Sequence, residues 1–161
     1  MALVDGKNPK VDSLRAKKFM ISGLGSTLAL DQSDSGATVV FDRAAGTVIT
    51  LPALCPNGTF YEFVVGVTVT TNSAKVITGA ATELLVGTIL NCDTDTTDTV
   101  AIWKGLVGSS YIAVILGLSG GNTNGGIKGD RVVFTKINST TWQVNGTINS
   151  TGTVVTPFSA S

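Results

Sequence analysis

Residues 36–52 read Gly36-Ala37-Thr38-Val39-Val40-Phe41-Asp42-Arg43-Ala44-Ala45-Gly46-Thr47-Val48-Ile49-Thr50-Leu51-Pro52. Two runs rich in β-branched residues, Ala37 to Asp42 and Thr47 to Leu51, flank a short segment that ends in Gly46. β-Branched side chains suit a pleated, half-buried strand, and a short connection containing glycine is typical of a hairpin. The stretch therefore predicts two strands joined by a compact hairpin loop, with Pro52 closing the unit.

Short apolar runs between turn residues continue on both sides of this stretch. The further strand candidates are Thr27 to Leu30, Phe60 to Thr71, Lys75 to Thr78, Leu84 to Leu90, Thr99 to Leu106, Tyr111 to Leu118, Arg131 to Ile137, Thr141 to Val144 and Thr147 to Thr156. Hairpin spacing recurs across residues 107–110 and 138–140, Gly66 predicts a bulge or a corner bend, and no sequence repeat is convincing. About ten short strands at regular spacing predict an all-β domain, either a β-sandwich or a jelly-roll or barrel-like fold.

The composition supports this fold class. Thr, Val and Gly occur 23, 19 and 19 times, whereas Glu occurs only at Glu62 and Glu83, so residues that favour strands and turns outnumber helix formers. Charged residues make up 14% of the chain, which leaves a surface mostly of Thr, Ser, Asn and Gly. Because a weakly charged, neutral surface does little to keep copies apart, we expect a homo-oligomer.

The zero net charge hides an asymmetry. Residues 1–18 hold five basic and two acidic residues, whereas residues 19–161 hold six basic and nine acidic ones. We predict an extended basic arm over residues 1–25, with a short helical stretch around Val11 to Phe19, ahead of a β-domain over residues 26–161. The candidate binding residues of the arm are Lys7, Lys10, Arg15, Lys17, Lys18 and Phe19.

Two interpretations of this arm have equal weight. It suits an acidic surface on a partner or a neighbouring subunit, and it equally suits a solubilising tail. Five charges with one aromatic make a thin phosphate footprint, and the acidic body repels a duplex, so we expect no nucleic-acid partner.

Residue types that carry catalysis are scarce. The chain contains no histidine, which excludes the Ser-His-Asp arrangement, most Cys-His nucleophiles and nearly all catalytic zinc sites. Glu62 or Glu83 with an aspartate offers the paired carboxylates of a glycosidase, but a charge on the exposed face of a strand is the ordinary explanation. We therefore expect no enzymatic activity and no cofactor.

Two loops partly match known binding motifs. Asp93-Thr94-Asp95-Thr96-Thr97-Asp98 alternates acidic residues as a calcium loop does, but Asp98 and Lys104 stand where that loop needs Gly and Glu. Gly120 to Gly126 runs into another strand candidate, which does not suit a phosphate cradle. We predict a solvated acidic loop, a flexible surface loop and no metal.

The cysteines and large aromatics have simple interpretations. Cys55 and Cys92 are more typical of buried thiols in a cytosolic chain than of a disulfide. Trp103 and Trp142 lie within strand candidates with apolar neighbours, which favours core packing or a subunit interface over stacking on sugars. The other aromatics weighed in this way are Tyr61 and Tyr111.

Several segments resemble small structural proteins of tailed bacteriophages and prophages. These are Gly36 to Pro52, Gly129-Asp130-Arg131, Trp142 to Gly146 and Thr156-Pro157-Phe158. The similarity covers most of residues 36–158 and consists of turn and strand signatures that head decoration proteins, head fibres and tail components can share. The resemblance implies a capsid decoration or cement protein, commonly a β-rich trimer at three-fold positions of the outer capsid. Its partner is then the major capsid protein, whose neighbouring subunits it clamps after the head expands.

This resemblance also implies a location. The chain is then made in the cytoplasm of the host bacterium and lies on the outer capsid surface of the virion. It shows no signal peptide, and its longest apolar run, Tyr111 to Leu118, is too short to span a bilayer, so we expect no membrane partner. One alternative is a head- or tail-fibre module that binds host surface glycans, which predicts an exposed Trp103 or Trp142. Another is a wall hydrolase, which predicts a cleft with paired carboxylates.

Overall fold

The computed structural model describes residues 19–95, 99–117 and 122–161, and these residues form mainly strands and turns. The strands are β1 (Met20–Ile21), β2 (Thr27–Ala29), β3 (Thr38–Phe41), β4 (Val48–Thr50), β5 (Phe60–Val65), β6 (Ala74–Ile77), β7 (Leu84–Asp93), β8 (Val100–Gly105), β9 (Ala113–Leu116), β10 (Arg131–Asn138), β11 (Thr141–Ser150) and β12 (Phe158–Ser159). A short 3-10 helix, Gln32–Asp34, is the one helix among the described residues. The prediction of an all-β domain is confirmed.

Two sheets enclose the core as a sandwich. The seven-stranded sheet has the order β1-β3-β5-β10-β11-β7-β8, and the five-stranded sheet has the order β12-β9-β6-β4-β2. Alternate residues of each strand point inward, so that in β10 the side chains of Val132, Phe134 and Lys136 are buried. An aromatic row crosses the core of the seven-stranded sheet, where Phe63 meets Phe134 edge-on with ring centroids 5.3 Å apart.

The first half of the chain alternates between the two sheets. The strands β1, β3 and β5 lie side by side and parallel in one sheet, and β2, β4 and β6 do the same in the other. Each pair of consecutive strands thus forms one coil, and three coils stack. This structural repeat has no counterpart in the sequence because stacking needs apolar residues on the inner face but not identical ones.

Two of the predicted hairpins are wrong. Residues 43–46 carry the chain from β3 to β4 in the opposite sheet, and residues 107–110 lie on a crossing from β8 to β9. Gly46 is needed at the first crossing because its φ is +71° and a Cβ there would lie 2.4 Å from the Ser73 carbonyl oxygen. The third hairpin, across residues 138–140, is confirmed by the antiparallel pairing of β10 with β11.

Smaller differences concern where strands end. β5 ends at Val65, and Gly66 follows it where the chain leaves the seven-stranded sheet, which agrees with the predicted corner bend. The two strands predicted over Thr141 to Val144 and Thr147 to Thr156 are one continuous strand, β11, because ten consecutive residues pair with β7. Among the described residues, no helix has the length and apolar character needed to cross a membrane.

Candidate functional site

The predicted arm joins the domain at one edge of the seven-stranded sheet. Lys7, Lys10, Arg15, Lys17 and Lys18 lie outside the described residues. Phe19 is half-buried against the core, and its carbonyl oxygen accepts a hydrogen bond from the Thr38 N–H at 3.0 Å. Directly after it, Met20 and Ile21 form β1 alongside β3. The residues directly after residue 18 are therefore packed against the domain and hydrogen-bonded to it.

A carboxylate holds the chain just beyond β1. Asp42 accepts hydrogen bonds from the backbone N–H groups of Gly23 and Leu24, the latter at 3.1 Å. Burial raises the pKa of the Asp42 carboxyl, but the hydrogen bonds outweigh this effect and bring that pKa below its usual value. The ionised side chain thus fixes the segment that follows β1 to the end of β3.

The opposite edge of the same sheet is apolar and exposed. Val100 and Ile102 on β8 are 64% and 59% exposed, and Leu106, which follows the strand, is 61% exposed. The exposed apolar residues at or near this edge are Val100, Ile102, Leu106, Val107 and Ile137. A hollow of about 220 Å³ lies between the end of β8, the start of β7 and the end of β10.

The centre of the outer sheet face differs from this edge. On β11 the exposed side chains are Gln143, Asn145 and Thr147. Glu62 on β5 accepts a hydrogen bond from the Thr38 hydroxyl at 3.1 Å and forms an ion pair with Arg131. The exposed apolar residues of this face include Met20 on β1, Phe60 on β5, and Val100 and Ile102 on β8.

The aromatic side chains mostly serve the core. Trp142 and Tyr61 are fully buried, and the Tyr61 hydroxyl donates to the Asp31 carbonyl oxygen at 2.7 Å. Burial raises the pKa of that hydroxyl. Trp103 is half-buried with its indole nitrogen inside, and Tyr111 stacks near Phe158 with centroids 5.5 Å apart. The predicted core packing is confirmed for Trp142, and Tyr61 is buried in the same core.

A buried ion pair was not predicted from the sequence. Glu83 and Lys136 contact each other with side chains only 2% and 1% exposed. The second carboxylate oxygen of Glu83 accepts a hydrogen bond from the Trp142 indole N–H at 3.1 Å, and the ammonium of Lys136 lies 5.1 Å from the centroid of the Trp142 ring. The interpretation of Glu83 as a charge on an exposed strand face is therefore wrong.

The two glutamates considered as possible members of a glycosidase carboxylate pair lie in different environments. Glu83 is enclosed between the sheets beside Trp142, whereas Glu62 lies on the outer face with Arg131. A hydrolytic pair needs both carboxylates to face one cleft.

The burial of Lys136 could have been predicted from the sequence, because Lys136 follows Val132 and Phe134 at the alternate positions that point into the core.

The acidic segment after β7 is less exposed than predicted. Asp93 is the last residue of β7, is 8% exposed, and accepts a hydrogen bond from the Asp95 N–H at 3.1 Å. Asp93, Asp95, Thr99 and residues 152–154 line a hollow of about 300 Å³, while Asp98 lies outside the described residues. Within the described part of the chain, no group of three acidic, cysteine or histidine residues is placed to hold a metal.

The glycine-rich segment is also partly buried. Asn124 is 2% exposed and Gly125 and Gly126 are buried, so this described part is not the predicted surface loop. Asp130, fully buried, explains the difference, because its carboxylate accepts hydrogen bonds from the N–H groups of Gly126 and Ile127 and from the backbone and side chain of Asn149. Burial raises the pKa of Asp130, and these hydrogen bonds oppose that shift.

The two thiols complete the set of candidate residues. Cys55 and Cys92 are both free and both half-buried, on a loop and on β7 respectively. Burial raises the pKa of the Cys55 thiol, which disfavours the reactive thiolate.

Comparison with known proteins gives no assignment. No protein-family model matches the chain, and no curated protein is similar to it.

Proposed function

We propose that the protein is a bacteriophage virion protein that binds the outside of the capsid and stabilises the expanded head. Its partner is the major capsid protein, it acts as a homo-oligomer, and its role is structural and not enzymatic. The observation that carries the proposal is the junction of a basic arm with an anchored edge strand, where Phe19 and β1 fix residue 19 to the domain. The resemblance of residues 36–158 to phage structural proteins gives the capsid as the partner.

The charges of residues 1–18 favour binding to an acidic surface. Residues 1–18 carry five basic residues and two acidic ones, against six and nine in the rest of the chain. Eighteen extended residues reach up to about 60 Å, which is enough to contact more than one neighbouring subunit of a lattice. An arm that binds in addition to the body raises the overall affinity through effective concentration.

Stabilisation of the head follows from linkage. A protein that binds the expanded lattice but not its dissociated subunits lowers the free energy of the expanded state, and the effect grows with the logarithm of its free concentration above the Kd. No catalytic step is needed for this effect. A rigid β-domain held by an arm supplies it by occupying a site that only the assembled lattice creates.

The alternative of a glycan-binding fibre module receives less support. A sugar ring stacks on the exposed face of an aromatic side chain, but Trp142 is fully buried and Trp103 is half-buried. Among the exposed large apolar residues of the described chain, Phe60 is the one aromatic, at 41% exposure, and nearly all the others are aliphatic, including Val100 and Ile102. Aliphatic side chains suit protein contacts better than sugar stacking.

Co-sedimentation with expanded heads that lack the protein tests the proposal. The full chain is compared with a chain starting at Phe19, which keeps the packed Phe19 and β1, and with a full-length variant in which Lys7, Lys10, Arg15, Lys17 and Lys18 are replaced by Gln. We expect saturable binding by the full chain, and weaker binding by both variants. The binding of the full chain should also weaken with added salt, because salt screens exposed charges.

A matched control changes charge in the domain. Lys75→Gln with Lys128→Gln removes two lysine charges of the domain without changing the arm and should bind heads as the full chain does. If the full chain does not sediment with heads, the capsid proposal is wrong. If the arm variants bind as tightly as the full chain, the assignment of binding to the arm is wrong.

A further inference from the structure

The four sheet edges differ in length. β1, β12 and β2 form three of the edges and contain two, two and three residues. β8 forms the fourth edge and contains six. Soluble proteins protect their edges by keeping them short or by placing charges on them, since an open edge pairs with other chains. β8 is long and carries two exposed aliphatic residues with a single charge, Lys104.

The backbone of β8 offers hydrogen bonds to a further strand. β8 pairs antiparallel with β7, and the Asp93 N–H donates to the Thr99 carbonyl oxygen at 2.8 Å. In an antiparallel pair, residues that exchange hydrogen bonds alternate with residues that do not. Ala101 and Trp103 therefore bond to β7, whereas the backbone groups of Val100, Ile102 and Lys104 point to the open edge.

We propose that β8 pairs antiparallel with β8 of a second copy, which joins two seven-stranded sheets into one. An extended strand supplies donors and acceptors in the spacing that the outward backbone groups of this edge require. The two-fold pairing places Ile102 opposite Ile102 of the other copy, and Val100 opposite Lys104. All three of these residues direct their backbone groups outward, so each opposed pair exchanges two hydrogen bonds.

Side chains and charges agree with this register. The two Ile102 side chains lie on the same outer face and cover each other, and Val100 packs against the aliphatic stem of Lys104. The two Lys104 ammonium groups lie at opposite ends of the paired strands and do not oppose each other. With zero net charge on the chain, no overall repulsion separates two copies.

The mass of the protein in solution, measured by light scattering on a sizing column, tests this pairing. We expect the full chain to be a dimer and the variant Ile102→Lys, which opposes two lysines at the centre of the pairing, to be a monomer. The matched control Leu54→Lys adds the same charge at a loop residue that is 93% exposed and should remain a dimer. A monomeric or trimeric full chain, or a dimeric Ile102→Lys variant, overturns the proposal.

Disulfide trapping tests the register without relying on loss of assembly. In a background with Cys55→Ser and Cys92→Ser, Ile102→Cys should form an intermolecular disulfide on mild oxidation, because opposed residues of this kind have Cα atoms about 5.5 Å apart. Val100→Cys faces Lys104 and should not crosslink. Crosslinking of Val100→Cys but not of Ile102→Cys would overturn this register. The inference does not depend on the proposed function, since Ile102→Lys keeps the arm and its binding to heads is measured separately.

Discussion

The two edges of the seven-stranded sheet are built in opposite ways. β1 contributes two residues, joins the arm and is held by Asp42 through Gly23 and Leu24. β8 contributes six residues and exposes Val100 and Ile102. One edge is thus short and fixed by polar contacts, and the other is long and apolar. The comparison agrees with the two proposals made above, in which the basic N-terminal segment binds the capsid beside the first edge and a second copy pairs with the other.

The central strands of the sheet connect its two edges. The parallel pairing of β7 with β11 attaches the β7–β8 pair to the rest, and the pairing runs over ten residues of each strand. Glu83 precedes β7 and contacts Lys136 on β10 and Trp142 on β11. The buried ion pair therefore ties the β8 side of the sheet to its centre.

Removing one member of the ion pair should have the largest effect on stability. Lys136→Met leaves the Glu83 carboxylate buried and bound only by the Trp142 indole among the contacts described above. We expect the free energy of unfolding to fall by about 3–5 kcal/mol, which is typical when one buried partner is removed. Urea unfolding followed by tryptophan fluorescence measures the change.

A double replacement separates the buried charge from packing. Glu83→Leu combined with Lys136→Met removes both charges, and we expect it to be less destabilised than Lys136→Met alone, because no uncompensated charge remains. A loss below about 1 kcal/mol for Lys136→Met would contradict the role given to the pair.

A glycine at the β7–β11 junction should have the second largest effect. Gly87 has a φ of +132°, and a Cβ there would lie 1.9 Å from the Val144 carbonyl oxygen. Gly87→Ala should lower the free energy of unfolding by about 1–3 kcal/mol, because it strains the backbone and pushes β7 from β11. Gly23→Ala, near β1, provides the comparison, since its φ is +72° but no atom lies within 4 Å. Its effect, measured by the same urea titration, should be smaller, and equal losses would contradict the steric explanation.

The contact that holds the β1 edge should have the smallest effect. Asp42→Asn removes a charge that accepts two backbone hydrogen bonds, and we expect a loss of about 1 kcal/mol at neutral pH. Because the pKa of Asp42 is lowered in the folded protein, its contribution is present above the pKa of the unfolded chain and is lost as the pH falls through the folded value. The difference between Asp42→Asn and the natural chain should therefore shrink below about pH 4. Thermal unfolding at pH 7 and pH 3 measures it, and a difference that grows in acid would contradict this assignment.

Most strands were predictable from local sequence, but β1, β12 and the pairing partners were not. The alternation in Thr38 to Phe41 and in Val48 to Thr50 predicts two strands, and both form. A connection as short as residues 43–46 suits a hairpin and also a crossing between two packed sheets about 10 Å apart. The choice depends on partners distant in sequence, because β3 pairs with β5 and β4 pairs with β6.

Burial of the charged residues was partly encoded in the sequence. Lys136 continues the inward alternation of β10, so its burial follows from the pattern, whereas Glu83 precedes a strand and no local pattern marks it. Asp130 shows the same limit of local patterns, since the groups that bind it come from the preceding loop and from Asn149. The arm residues Lys7 to Lys18 lie outside the described residues, and their role remains a prediction.

Release of DNA from heads on heating tests the central claim most directly. Expanded heads that lack the protein are filled with DNA, saturated with the full chain or with the chain starting at Phe19, and heated while a dye reports released DNA. Because a ligand of the assembled lattice stabilises it, the account predicts a higher release temperature with the full chain and a smaller rise with the shortened one. An unchanged release temperature at saturating occupancy of the full chain would contradict the account.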